Sequence, residues 1–345
     1  MRSSMRFSPR LPKSWTIVAV VLLLAAGCSR RQELPAVRIG VQRSAQTATV
    51  WLALERGLYR REGVRVRLQP YPSGKRALQG MLRHQVELAV AAETPLAITL
   101  PFQPGLRLYG SLSSSDDNIC VLARRDHGIL RAADLRGKRI ATQRGSAVHF
   151  FLSSFLLDAG LEPQDVKLRF LPVEALADAF GKGTVDAISM RDPVLARAAS
   201  LAGPGNSIRF CRPGLYTKTY SLVGWKDFDK RHPGAMEAIL RALIRASALI
   251  RNDPDEAAGA LQKELGTAAP RLREMWQKGR FVVSLGQALL VSLQEELRWA
   301  AANGLVDPSV LAPGRYPDFL ERIDTAPLRR VAPGAVGLIG LEGSP

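Results

Sequence analysis

The stretch Arg144-Gly145-Ser146-Ala147-Val148-His149-Phe150 follows Lys138-Arg139-Ile140-Ala141-Thr142 and opens the apolar run that ends at Leu157. Alternation in the first segment predicts a short strand, and the run after Ser146 predicts a helix. Strand, glycine turn and helix start therefore come in that order. A helix start carries unpaired backbone N–H groups and a partial positive charge. Gly145 lets the backbone approach a ligand closely. Ser146 is suited to cap the helix and to offer a hydroxyl. Such a place holds anions or polar oxygens. An ordinary capped helix with nothing bound fits the same residues.

The pattern continues on both sides. Strands are expected at Val37–Val41, Val64–Leu68, Val86–Ala91 and Leu106–Gly110, with helices at Ala48–Glu55 and Gly74–His84 between them. It then restarts, with strands at Ile119–Ala123, Ile140, Val166–Leu171 and Val185–Met190, and two more near Ser207–Cys211 and Thr219–Val223. Strands alternating with helices imply an α/β fold with a largely parallel sheet. Ligands of such sheets bind beyond the carboxyl ends of the strands, which singles out the loops starting at Gln42, Ala92 and Ser111. From His232 the chain reads as helical. Met236, Ile239, Leu240, Leu243 and Ile244 repeat at helical spacing, as do Leu289, Leu290, Leu293, Leu297 and Ala301. These stripes read as core. The tail from Ala312 to Pro345 is rich in proline and glycine and is expected to wrap the surface.

At the N-terminus, Arg2, Arg6, Arg10 and Lys13 precede an apolar run from Trp15 to Gly27. That run is about 13 residues, short of the roughly 20 needed to span a bilayer. Charged start, apolar middle and small end describe a secretory signal. Leu24-Ala25-Ala26-Gly27-Cys28 resembles a bacterial lipobox, in which the cysteine becomes the lipidated first residue. A plain secretory signal followed by an incidental cysteine is the other reading. The expected organisation is a signal over 1–27 and a polar tether over 28–35, anchored by lipid on Cys28 at about 0.8 kcal/mol per buried methylene. Of the 345 residues, 318 then remain, enough for two lobes. The formal charge of +17 includes four signal cations and so falls to +13 in the exported chain. Its arginines are dispersed, with pairs at Arg60-Arg61, Arg124-Arg125 and Arg329-Arg330 and no clustered stripe, so nucleic-acid binding is not expected.

Cys120 and Cys211 could pair outside the cytoplasm or stand as two separate buried thiols; spacing does not decide. No CxxC, HExxH or nucleophile elbow occurs, and His84, His127, His149 and His232 are scattered, so no metal site is expected. Gly181-Lys182-Gly183-Thr184 lacks phosphate-loop spacing. A Ser146–His149 nucleophile pair is conceivable, but the spacing at a helix start favours a shared ligand surface. No catalytic residue and no cofactor is expected.

Several segments also carry a resemblance. Ala53-Leu54-Glu55-Arg56-Gly57-Leu58-Tyr59-Arg60-Arg61-Glu62-Gly63-Val64 resembles a stretch of solute-binding proteins of the nitrate, sulfonate, taurine and thiamine-precursor type. So do Leu135-Arg136-Gly137-Lys138-Arg139-Ile140 with Arg144-Gly145-Ser146 and His149-Phe150, then Gly183-Thr184-Val185-Asp186-Ala187, then Met190-Arg191-Asp192-Pro193. Asp192 stands where the family commonly has glutamate.

The resemblance implies a two-lobed clamshell of the type II periplasmic-binding-protein kind. Lobe one would hold 36–119 with 222–345 and lobe two 120–221, hinged near Cys120 and Ser221. It implies a monomeric receptor that delivers a small polar, anionic solute, sulfonate- or nitrate-like, to an ABC permease and its ATPase. Ser44, Gln46, Thr47 and Thr94 would contribute from lobe one, and Ser113, Ser114 and Ser115 from near the hinge. Gly145, Ser146, His149 and Arg191 would contribute from lobe two. Arg191 could fork onto a carboxylate or sulfonate, or pair with Asp192. Tyr220 could stack on a ring or be an ordinary strand tyrosine. Asp192 and Glu93 could instead take an amine or a ring nitrogen, so a pyrimidine, thiamine precursor or other nitrogen heterocycle is the alternative ligand. A sensor that signals rather than transports is the alternative role. The thiamine-pyrimidine enzymes of the superfamily carry a cysteine-rich iron motif that this chain lacks.

Overall fold

The computed structural model describes residues 36–312 and 317–339. The signal, the tether and Cys28 lie outside the described residues. Two sheets organise the rest. The first has the order β11-β4-β10-β3-β1-β2. Its strands are β1 (Ala36–Gln42), β2 (Arg65–Tyr71), β3 (Leu88–Ala92), β4 (Leu106–Ser115), β10 (Lys218–Trp225) and the short β11 (Gly279–Arg280). The second has the order β7-β6-β8-β5-β9. It contains β5 (Cys120–Arg124), β6 (Arg139–Thr142), β7 (Lys167–Phe170), β8 (Ala187–Met190) and β9 (Ser207–Cys211).

The sheets are mixed rather than largely parallel. β1 runs parallel to β2 and β3, and β6 parallel to β7 and β8. β10 is antiparallel to both β3 and β4, and β5 to both β8 and β9. The reason is the crossing pattern. β4 feeds the chain into the second sheet and β10 brings it back between β3 and β4. The return crossing is 212–217, and the expected break between 221 and 222 falls inside β10, where Ser221 pairs with Ala91.

The helices are those that the periodicity asked for. Helices α1 (Ala48–Glu55), α2 (Gly74–Leu82) and α3 (Glu93–Thr99) connect strands of the first sheet, and α4 (Ala147–Asp158) follows β6. Ala77, Leu78 and Met81 of α2 are buried. In the C-terminal part, α5 (Ala235–Asn252), α6 (Ala269–Gln277) and α7 (Gln287–Ala302) carry the stripes. Met236, Ile239, Leu240 and Leu243 are buried, as are Leu289, Leu290, Leu293, Leu297 and Ala301. The tail does more than wrap. Phe319, Ile323, Leu328 and Leu338 are buried in the core, and Ile323 bridges to Leu108 of β4.

Cys120 and Cys211 sit opposite each other on paired strands and are disulfide-bonded. The bond ties edge strand β9 to β5 across a sequence separation of 91. Closing a loop of that length removes unfolded-chain entropy equivalent to roughly 4–5 kcal/mol, with measured cases typically at 2–4. Replacing both cysteines with serine is therefore expected to lower unfolding free energy by about 2–4 kcal/mol, read as a fall in the urea midpoint. An unchanged midpoint would show that the bond adds no constraint to the unfolded chain.

Candidate functional site

The carboxyl end of β1 begins the site. Gln42 donates through Nε2 to Ser44 Oγ at 2.8 Å and to the Tyr220 hydroxyl. Its backbone carbonyl accepts from Thr47 Oγ1 at 2.8 Å and from Trp51 Nε1 at 3.0 Å. The Ser113 hydroxyl donates to the Gln46 carbonyl at 2.5 Å, and Trp276 Nε1 to the Ala45 carbonyl at 3.0 Å. Ser44, Gln46, Thr47 and Ser113 thus hold the loop after β1 in shape. Ser115 donates to the Lys278 carbonyl beside the crossing, and Ser114 pairs with Thr219 in the ladder between β4 and β10.

Across from this loop stands the start of α4. Gly145 has φ +58°, a left-handed conformation that glycine adopts without Cβ strain. Ser146 does not cap the helix as expected. Its hydroxyl donates back to the Gln143 carbonyl at 2.6 Å and so closes the turn from below. The Gly145 amide is also taken, donating to His149 Nδ1 at 3.3 Å. His149 is buried, with Phe170 and Trp299 each edge-on at 4.8 Å. Burial, then the nearby Arg144 and Lys75 charges, hold its pKa down to about 4. The neutral ring is an acceptor that shapes the turn.

The two halves meet in a small notch of about 20 Å³, room for little more than one water. Of the expected residues, Ser146, Arg191 and Tyr220 line it. Arg191 donates to Gln42 Oε1 at 2.6 Å, spanning the two sheets. It does not pair with Asp192. That carboxylate takes Arg209 through two 3.0 Å bonds, Arg271 at 3.5 Å and the Ala196 amide. Thr94 is fully buried and does not line the notch.

Sequence reasoning missed four contributors. Ser73 caps α2, accepting from the Arg76 amide at 3.3 Å, and also accepts from Gln143 Nε2 at 3.1 Å. The starts of α2 and α4 therefore face one space. Lys75 donates to the Arg144 carbonyl across the gap. Gln42 was signalled as a loop start but not as a contact. Lys218 is the largest omission. It is 1% exposed, lines the notch, and its Nζ has no hydrogen-bond partner among the described residues. It lies 4.8 Å from the Tyr220 ring centroid. Burial and the Arg191 charge push its pKa well down, while Glu93 opposes the shift. Glu93 is itself buried, accepts from the Thr219 amide at 2.8 Å, and is pushed up to about 7 by burial. No sequence signal marks a strand lysine as buried; only the position of β10 inside the sheet does so. Among the described residues, no group of His, Cys, Asp or Glu side chains could hold a metal ion. No described helix is long and apolar enough to cross a membrane.

A family described as NMT1/THI5 like matches residues 44–257. A putative aliphatic sulfonates-binding protein of Bacillus subtilis (strain 168) is 26% identical over 268 residues, covering 72% of this chain and 77% of that one. The alkanesulfonate-binding protein SsuA from Xanthomonas axonopodis pv. citri, solved bound to MOPS, superposes with a TM-score of 0.66 at 22% identity, covering 78% of this chain and 93% of that one. The periplasmic nitrate-binding protein NrtA from Synechocystis PCC 6803 superposes with a TM-score of 0.67 at 13% identity, covering 88% and 89%. The fold is the two-lobed one of these binding proteins.

The neutral, buried His149 generates a pH dependence. The unfolded ring takes a proton near pH 6.5, whereas the folded ring resists until about pH 4. Its contribution is complete above the unfolded value and is lost as pH falls from about 6.5 towards 4. At pH 5 this amounts to about 2 kcal/mol. Urea unfolding of the protein and of His149→Asn at pH 8 and pH 5 is expected to show a smaller acid loss in the variant, by about that amount.

Proposed function

The chain belongs to the NMT1/THI5-like family, and from that premise we propose that it is an extracytoplasmic receptor that closes two lobes on a small anion with a sulfonate-like head. It hands that solute to an ABC permease driven by its ATPase, and lipid on Cys28 keeps it beside the membrane. The observation that carries this reading is Lys218, an amine buried at the notch whose Nζ has no hydrogen-bond partner among the described residues. Burial drives the proton off such a group, and an anion arriving beside it holds the proton on and pairs with the resulting charge. Arg191 supplies a second, planar donor set suited to a tetrahedral or planar oxyanion. The starts of α2 and α4 add the favourable end of two helices.

The alternative ligands fit less well. An amine or ring nitrogen needs a free carboxylate, yet Asp192 is held by Arg209 and Arg271, and Glu93 by the Thr219 amide. The relatives are named for sulfonate and nitrate binding, which supports the same class. Since the notch as it stands admits only a water-sized guest, the lobes open for entry, breaking the Arg191–Gln42 and Gln143–Ser73 contacts, and the liganded form stays wider at the notch than this one.

Calorimetric titration of the purified protein with short alkanesulfonates, nitrate, amino acids and pyrimidines tests this. A sulfonate or nitrate is expected to bind. Lys218→Met and Arg191→Ala should each weaken it at least about tenfold, or about 1.4 kcal/mol. Lys218→Met should leave the empty protein as stable or more so, because a buried polar group with no hydrogen-bond partner among the described residues has been replaced by an apolar side chain of similar length. Binding confined to amines or pyrimidines would overturn the assignment.

A further inference from the structure

The arginines that look dispersed in the sequence converge at the end of the first sheet away from the notch. β1 and β2 pair in parallel, with Ala36 opposite Arg65 and Arg38 opposite Arg67. Residues two apart on a strand share a face, so Arg38, Arg65 and Arg67 stand together on the outer face. Arg60, from the short helix Leu58–Arg61, joins them. All four are exposed and line an open groove of about 680 Å³, with half-exposed Leu54 at its edge. The groove's one carboxylate, Glu87, is committed to Arg38, binding its guanidinium at 2.6 Å and its amide at 2.7 Å. Among the described residues, no ion pair or side-chain hydrogen bond engages Arg60, Arg65 or Arg67.

We propose that this β1–β2 end is a docking surface for anionic phospholipid headgroups. Two features of the chain fix the occupant. The charge is uncompensated and arginine-borne, which suits phosphate. Ala36, the first described residue, lies in the groove itself, and only seven residues, at most about 28 Å of extended chain over eight steps, separate it from Cys28. The proposal rests on the anchored-receptor reading for the nearness of a membrane. β1 spans about 20 Å from Ala36 to Gln42, so headgroups at one end leave the notch at the other end free. Headgroup contact would hold the first lobe against the membrane and leave the cleft open to solute.

The test uses the full chain carrying Cys28→Ser, so that no acyl chain attaches, with vesicles of phosphatidylcholine alone or with about a third phosphatidylglycerol. The apolar segment before Cys28 acts on both vesicle types, so the readout is the ratio of anionic to neutral binding. Each arginine near an anionic surface contributes on the order of fivefold. Arg60→Glu with Arg65→Glu and Arg67→Glu should remove most of the preference, leaving the share that Arg2, Arg6, Arg10 and Lys13 supply, and 1 M salt should bring the parent's ratio close to unity. The glutamine triple at the same positions should lose an intermediate amount while keeping the parent's thermal unfolding. A control triple at exposed Arg83, Arg125 and Arg169, also changed to glutamate, should retain most of the preference. Equal loss in both glutamate triples, or no anionic preference in the parent, overturns the proposal. Sulfonate titration of the same proteins separates the two readings: its failure strikes the receptor assignment, and unchanged affinity in the groove triple leaves the docking surface to be judged on vesicles alone.

Discussion

A lysine amine kept from water on an interior strand governs this molecule. Lys218 opens β10, the strand that returns the chain from the second sheet and inserts between β3 and β4. There its backbone pairs with Ser115 of β4, and its buried side chain lines the notch. Desolvation is the largest influence on it, and Arg191 adds repulsion. Glu93 gives partial relief but spends its hydrogen bonds on the next residue's amide. The fold thus holds a basic group whose protonated form is incompletely compensated without a guest. The strand onto which the chain returns from the second sheet places that group at the notch.

This explains which parts of the site were legible. The turn at Gly145 could be read because glycine, a capping residue and an apolar run form a local signal, and the structure puts that turn at the notch. The role of each side chain could not be read. Ser146 and His149 both look like ligand donors, yet one closes the turn through the Gln143 carbonyl and the other accepts the Gly145 amide. Local spacing gives proximity; which partner wins depends on what else the turn must satisfy. Lys218 and Ser73 were invisible for the opposite reason. Their importance comes from elements distant in sequence, β3 and β4 for one and Gln143 for the other.

The fold itself was easier to read. Periodicity identified the core faces of α2, α5 and α7 because burial there follows from helix geometry alone. Strand direction was less accessible. A strand pattern such as that of Thr219–Val223 says nothing of its partners, so the antiparallel insertion of β10 and the pairing of β5 with β9 had to come from topology. With that pairing came the disulfide, since residues opposite each other on neighbouring antiparallel strands bring their Cβ atoms within bonding reach.

Closure then has a specific energetic form. The contacts that hold the two halves together at the notch are Arg191 to Gln42, Gln143 to Ser73 and Lys75 to the Arg144 carbonyl. Each is a polar bond of modest net value, about 0.5–1.5 kcal/mol for the neutral pair and about 1.5–3 kcal/mol where the donor is charged. A ligand that merely replaced them would exchange one set of bonds for another and would not shift the balance between open and closed forms. A ligand shifts that balance only by binding the closed form better. Lys218 supplies the difference, because it is engaged by no cross-lobe bond and is driest when the halves are shut. An anion enclosed there gains a buried charge pair that the open cleft, being wet, makes weaker. Neutral solutes of the same size have no such differential, so under the proposed function charge, more than shape, would select the guest that closes this protein.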